Sequence, residues 1–351
     1  MSFKSGPVSG HYHNDDQSFH WYQRGTPIAL NYNCSYHPRG DHAALHNTIT
    51  LGNAGQVRHN ARAVDVPALE QPFGPAAVSR FATSTVADVV VADRRINSLV
   101  MSPVEPHDAE FNREYPGRPV DADHRRLLLL SKHGPASPFS DYLVVRDEIR
   151  TSEAQQVNLH LLARDARIDG DRVLLTGQWD QDILVQVVEA TNAVIESRRW
   201  AYADENMAPP MEFLPKPGES PAAWDARLPV QRPMDGWKPT YLKDDTAANL
   251  KRWDDLIAAT DGAALMPPPG WTSTWTYGEC QRWLRVSSTP GTPVTMVIYP
   301  YPRGQTPPQI SRDHDAIIIT AGGTTERVIL GTAAGAALGG TVLLGPGLAK
   351  P

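Results

Sequence analysis

Cysteine is scarce: Cys34 and Cys280 are the two among 351 residues. A disulfide framework would need more, and no CxxC pair or Cys/His knuckle spacing occurs. An excess of positive charge is also missing, with 33 Lys and Arg against 39 Asp and Glu and a net charge of -6. That balance argues against a surface made to coat a polyanion, though it leaves room for a local basic cleft. The first seven residues hold no apolar run of the signal-peptide kind. Residues 328–349 carry no charge and are long enough to cross a bilayer. Their glycine pairs break helices, however, so two short strands at 327–330 and 341–344 are expected instead. No glutamate occurs between Met1 and Gln56. A cupin-type metal site, which needs one shortly after its second histidine, therefore has little support. No repeat of fixed period is present.

Proline (31) and glycine (26) together make about one residue in six, a load that fits strands and turns better than a helical bundle. Hydrophobic residues at 41% provide for a packed core. Residues 18–23 and 28–32 flank the turn Arg24-Gly25-Thr26-Pro27 and read as a hairpin. Residues 47–51 alternate in the β manner. Compact apolar runs at 86–92, 126–131 and 142–146 have strand length. Further strands are expected at 156–162, 173–176, 183–188, 281–287, 295–299 and 316–320. The fold class is all-β, a large antiparallel β-sandwich forming one domain over 1–351. Residues 201–275 interrupt it as a proline-rich, partly helical excursion that covers the sandwich. One helix is expected there at 246–260, with Leu250, Trp253 and Ile257 on one face. Trp237, Trp253, Trp271, Trp275 and Trp283 read as packing for that excursion, with a sugar-stacking platform as the alternative.

Six of the 12 histidines fall in residues 11–46: His11, His13, His20, His37, His42 and His46. Imidazole serves both as metal ligand and as acid or base near neutral pH. His11 and His13, two apart on an extended segment, point to one side, as does Asp15. A sandwich can bring His13, Asn31 and His46 together on adjacent strands. His20 reads as an exposed strand residue. His37 and His42 lie in the polar loop 35–43 and are candidates for substrate contact. Asp15 has a turn-capping reading, and His46-Asn47 also fits a hydrogen-bonded core pair without metal. Arg146-Asp147-Glu148 reads as a strand-end charge cluster that fixes a turn.

The combined pattern His11-x-His13-x-Asp15-x-x-Ser18-Phe19, then Gly25-x-Pro27, then His46-Asn47-Thr48, resembles the start of the C-terminal β-sandwich domain of heparinase II/III-like polysaccharide lyases. Arg146-Asp147-Glu148 and the strand at Gly177-Gln178 fit the same family, so the resemblance covers residues 6 to about 190. The resemblance implies an α-helical toroid preceding the sandwich and a cleft between the two. It implies β-elimination on heparin-like or alginate-like polysaccharides that contain uronic acids. His11 maps to a substrate-facing catalytic residue. His13, Asn31 and His46 map to the ligands of a structural Zn2+, with Asn31 standing where the family has aspartate. An amide oxygen brings no charge to zinc. The implied partners are an acidic polysaccharide or oligosaccharide and the toroid, with no nucleic acid and no membrane span, and a homodimer is allowed. The implied compartment is periplasmic or extracellular.

The family's toroid supplies the catalytic tyrosine and an Asn/His pair that grips the carboxylate. With His11 so near Met1, the expectation is the second half of a larger enzyme, incomplete without that toroid. The competing expectation is a non-catalytic carbohydrate-binding or structural β-sandwich that keeps the histidines.

Overall fold

The computed structural model describes residues 1–5, 15–31, 43–52, 54–56, 77–101, 117–177, 181–201, 280–330, 336–338 and 341–344. The excursion after residue 201, including the helix expected at 246–260, lies outside them. The described part is antiparallel β throughout, apart from one 3-10 turn at Ala43–Leu45. The first strands are β1 (Ser2–Phe3), β2 (Phe19–Gln23), β3 (Thr26–Ala29), β4 (Ile49–Leu51), β5 (Ala54–Gln56), β6 (Ala77–Thr83) and β7 (Ala87–Met101). Next come β8 (Gly117–Ser131), β9 (Leu143–Arg150), β10 (Gln155–Asp169), β11 (Arg172–Gly177) and β12 (Gln181–Glu189). β13 (Val194–Ala201), β14 (Cys280–Ser288) and β15 (Val294–Pro302) complete one sheet. β16 (Gln309–Asp313), β17 (Ala316–Ala321), β18 (Thr324–Leu330), β19 (Ala336–Leu338) and β20 (Thr341–Leu344) form a second, five-stranded meander.

The larger sheet curls back on itself. Its pairing runs β4-β5-β7-β8-β9-β15-β12-β11-β10, and β10 pairs again with β4. Closing the circuit leaves fewer open edges for intermolecular pairing. The two walls of this ring enclose one core. Val90, Leu128, Val145, Val185 and Met296 come from one wall; Trp21, Ile49, Leu159, Leu161 and Leu284 come from the other.

The strands β7, β8, β9, β15 and β12 are buried on both faces. Their alternate residues, Val89, Val91, Leu127, Leu129, Val144, Leu184 and Val297, face a second core. Ile317, Ile319, Val328 and Leu330 of the five-stranded sheet close that core from outside. Two-sided burial explains why these segments read as unbroken apolar runs: neither face of the strand meets water. Each such aliphatic side chain contributes roughly 1.5–3 kcal/mol by leaving water.

Candidate functional site

Three segments far apart in sequence meet at one end of the ring. The first is the turn Asp15–Ser18, closed by Ser18 N–H donating to the Asp15 carbonyl at 3.0 Å. Gln17, in this turn, holds a left-handed backbone (φ 57°) although it has a Cβ. The second segment is Asn31, which follows β3. The β2–β3 hairpin that delivers it turns on Arg24 and Gly25, both at positive φ (48° and 83°), as a two-residue hairpin loop of the mirror-image type requires. The third is His46-Asn47-Thr48, between the 3-10 turn and β4.

Hydrogen bonds join the three. Asn31 Nδ2 donates to Ser18 Oγ at 3.2 Å. Asn31 Oδ1 accepts the Asn47 backbone N–H at 2.9 Å and Asn47 Nδ2 at 3.3 Å. Asn47 Nδ2 also donates to the Phe19 carbonyl, at 2.9 Å, and Thr48 Oγ1 donates to the Asp16 carbonyl, at 2.7 Å. His46, Asn47 and Thr48 are fully buried.

Below these segments lies a buried charged cluster on the inner face of β7, β8 and β9. Arg126 and Asp147 are cross-strand partners, as are Arg94 and His124. Arg126 forms a bidentate pair with Asp147, Nε to Oδ1 at 2.7 Å and Nη2 to Oδ2 at 2.9 Å. Its Nη1 donates upward to the Gln17 carbonyl at 2.6 Å and the Asn47 carbonyl at 2.5 Å. One guanidinium thus holds two of the three segments against the wall of the ring. His124 Nε2 lies 2.7 Å from Asp147 Oδ1, and Arg94 lies 3.6 Å from Asp16. Burial alone would raise the Asp147 carboxyl; Arg126 and His124 outweigh it and hold the group down at about 2. Burial lowers His124 despite Asp147, so the imidazole is neutral near pH 7. Burial also lowers Arg94 to about 10, against the pull of Asp16 and Asp15.

The other side of the 43–48 segment meets β10 and β14. His160 donates its backbone N–H to Asn47 Oδ1 at 2.6 Å, and its Nε2 lies 2.7 Å from the Ala44 carbonyl. Its ring stacks on Trp283 with centroids 6.3 Å apart. Trp283 Nε1 donates to Asn158 Oδ1 at 3.0 Å, while Asn158 Nδ2 reaches the Thr48 carbonyl and Thr50 Oγ1, each at 3.2 Å. The Arg285 guanidinium sits 4.2 Å above the Trp283 ring. This face of β10 is polar yet wholly buried.

Of the residues singled out from sequence, Asn31 and His46 are described, and they belong to the same hydrogen-bonded knot. His11, His13, His37 and His42 lie outside the described residues. His20 is half-buried rather than exposed: it lies on the outer face of β2 with the exposed Tyr22, opposite Ser2 of β1. Asp147 is no strand-end residue fixing a turn: it sits within β9 and points into the ring, paired with Arg126. Trp283 is buried against His160, Asn158 and Arg285, while the other four tryptophans of that set, and the excursion they were expected to pack, lie outside the described residues. Arg126, His124 and His160 were not singled out. The signal for them was a charged or imidazole residue at an inward position of an otherwise apolar strand.

For the zinc expected at His13, Asn31 and His46, two facts bear on fit. The Asn31 oxygen already accepts two N–H groups of Asn47. His160 offers a buried ring nitrogen, Nδ1, with no hydrogen-bond partner among the described residues. Neutral, buried imidazoles with one N–H fixed by a carbonyl suit zinc in donor chemistry. Among the described residues no three His, Cys, Asp or Glu side chains are grouped to hold a metal ion.

No sequence-family profile matches the chain, and no curated protein matches it. Its fold is similar to that of solved structures. A mutant of heparan sulfate lyase HepC from Pedobacter heparinus superposes with a TM-score of 0.50 at 13% identity, over 92% of this chain and 38% of that one. Unmutated HepC gives 0.48 at 13% identity, over 91% and 37%. A heparinase III gives 0.47 at 12% identity, over 93% and 38%. The chain thus spans less than two fifths of the HepC mutant's length (38%). Among the described residues no helix is long and apolar enough to cross a membrane.

Proposed function

We propose that this chain is the β-sandwich part of a polysaccharide lyase that cleaves uronic-acid-containing polysaccharide by β-elimination. The observation that carries the reading is the convergence of the described segments that flank the histidine-rich stretch. The turn that follows His13, then Asn31, then His46-Asn47 are tied into one knot, on a fold similar to that of a heparan sulfate lyase.

In β-elimination the uronate carboxylate is neutralised, a base takes the C5 proton, and an acid protonates the O4 leaving group. In this reading His11 faces the substrate as an acid or base, and His37 and His42 contact the acidic chain. The remaining base and the carboxylate clamp come from a partner toroid. The described residues supply rigidity: Arg126, Asn31 and Asn47 fix the segments on either side of the histidines to one wall, and such positioning lowers the entropy cost of catalysis. A zinc held by His13 and His46, with Asn31 beside them, would supply charge and cross-linking that further fix this loop. An extracellular or periplasmic site of action follows from the same reading.

The test is ultraviolet absorbance of the unsaturated uronate on heparan-type and alginate-type polymers, using the natural gene product that carries this chain. Product should form on one of these classes, and His11→Ala should lose at least about a hundredfold in kcat, the scale of a lost acid–base group. Absorbance that never rises on any uronate polymer, with the polymer still bound, would favour a non-catalytic carbohydrate-binding module instead.

A further inference from the structure

We infer that the turn Asp15–Ser18 is an acid-released latch: a proton taken up by His124 frees the turn, and with it the Gln17–Asn47 junction, from the wall of the ring. The inference names a regulation of the proposed lyase site, and its consequence for catalysis rests on that reading. The latch itself is built from described residues.

An unbroken chain of contacts joins His124 to the turn. His124 Nε2 lies 2.7 Å from Asp147 Oδ1. A carboxylate held at about 2 stays ionised and can only accept, so Nε2 carries the imidazole hydrogen. The same oxygen accepts Arg126 Nε at 2.7 Å. Arg126 Nη1 in turn donates to the Gln17 and Asn47 carbonyls. One guanidinium therefore stands between the titrating ring and both segments of the junction.

Every element packed around His124 brings a charge. β7 contributes Arg94, opposite His124 in register, β8 contributes Arg126, and β9 contributes Asp147. The turn contributes Asp16, 3.6 Å from Arg94, and Asp15 pulls on Arg94 as well. With the ring neutral, two guanidinium groups face the two carboxylates of Asp147 and Asp16. A proton on Nδ1 leaves one cation in excess among side chains that are buried. Nδ1 is itself buried with no hydrogen-bond partner among the described residues, so the new N–H has no acceptor there. An uncompensated buried charge is costly, and admitting water relieves it. The bidentate pair of Arg126 with Asp147 joins opposite charges, whereas its bonds to the two carbonyls end on uncharged acceptors. The carbonyl bonds are the ones that yield.

The turn is also poised to leave. Gln17 holds a left-handed backbone (φ 57°), a conformation that costs a residue with a Cβ. Its side chain is fully buried, yet neither amide atom has a hydrogen-bond partner among the described residues. A released turn lets the backbone relax and both amide atoms reach water. The grip of Arg126 offsets these costs in the closed state.

Burial holds His124 below its ordinary 6.5, with Arg126 and Arg94 adding to the effect against the pull of Asp147. The released state therefore takes up the proton first. The latch is closed above pH 6.5 and opens as pH falls below that value, its opening constant rising by up to about tenfold per pH unit.

The experiment is native-state hydrogen exchange of the intact protein, read amide by amide by NMR across pH 6.5 without substrate. The Ser18 amide bonds the Asp15 carbonyl, and the Asn47 amide bonds Asn31 Oδ1. Their protection factors should fall by up to about tenfold per pH unit, while amides of β15 keep theirs. His124→Gln still offers an N–H to Asp147 and cannot take up the proton, so the fall should disappear. That separates His124 from the other imidazoles on these segments, His20 and His46. If the variant fails to fold, the wild-type titration decides: the fall should level off once the His124 ring signal of the folded protein has titrated. A flat profile at Ser18 and Asn47, a fall that persists in His124→Gln, or an equal fall in β15 would overturn the latch. Product formation is measured separately, so a chain that acts on no uronate polymer sinks the lyase reading and leaves the exchange result standing.

Discussion

Arg126 donates four hydrogen bonds inside the protein, two to Asp147 and one each to the Gln17 and Asn47 carbonyls. Removing one partner of such a pair strands the other as a buried charge, which costs about 3–5 kcal/mol. Arg126→Met should lose that much in chemical denaturation. Arg126→Lys should not rescue it, because an ammonium cannot make the planar bidentate contact. A loss below about 1 kcal/mol for Arg126→Met would show that the cluster is no anchor. The same cluster sets an acid limit. Asp147 is held at about 2 in the folded protein, against an ordinary value of 3.8. Its contribution, roughly 2 kcal/mol, is complete above pH 4 and disappears as pH falls towards 2. His124 adds to this from a higher pH. Its folded value is lowered, so the unfolded chain takes up a proton first and stability falls as pH drops below about 6.5. Denaturation curves at stepped pH should show both losses, and His124→Gln should flatten the upper one and shrink the lower only in part, because Arg126 still holds Asp147 down.

At the scale of strands, the apolar runs were legible because the middle wall is buried on both faces. Residues 126–131 and 142–146 read correctly as strands for this reason, although β8 and β9 extend well past them, to Gly117 and to Arg150. The extensions were illegible because their inward positions carry His124 and Asp147, which pair with each other and, through Asp147, with Arg126 at the edge of the apolar run, instead of matching an apolar pattern. β6, β13 and β16 gave no clear signal either. β6 and β16 lie largely exposed, so burial did not select an apolar face. The convergence of Asn31 with His46-Asn47 was readable from motif spacing, whereas His160 was not. Its partner is a backbone carbonyl more than a hundred residues away, and only the register of β4 on β10 joins them. The contrast between walls and edges is measurable. Leu128→Ala, in the enclosed core, should cost about 2–5 kcal/mol. Phe81→Ala, on a strand where Phe81 is 65% exposed, should stay within about 0.5 kcal/mol. Equal losses would contradict the layered arrangement.

At the scale of the whole molecule, the two sheets depend on each other unequally. The larger sheet closes its own circuit and holds a complete core between its walls. The five-stranded sheet has one buried face and relies on the other sheet to cover it. Two polar links pin it down. Glu189 of β12 takes Arg146 of β9 and Arg312 of β16, each at 2.6 Å. The Tyr142 hydroxyl donates to Glu326 of β18 at 2.5 Å. Burial first, and the neighbouring Glu326 second, push the Tyr142 hydroxyl well above its ordinary value, so it remains a donor at any working pH. Tyr142→Phe keeps the ring stacked near Tyr299 but leaves the half-covered carboxylate without that donor, a loss of about 1–3 kcal/mol. Native-state hydrogen exchange locates the cost. Amides of β17 and β18 should exchange about tenfold faster for each 1.4 kcal/mol lost, because the small sheet can open while the ring stays closed. Amides of β10, inside the closed circuit, should keep their protection. Equal acceleration in β10 would mean that the layers unfold as one unit and that the ring does not stand without its cover.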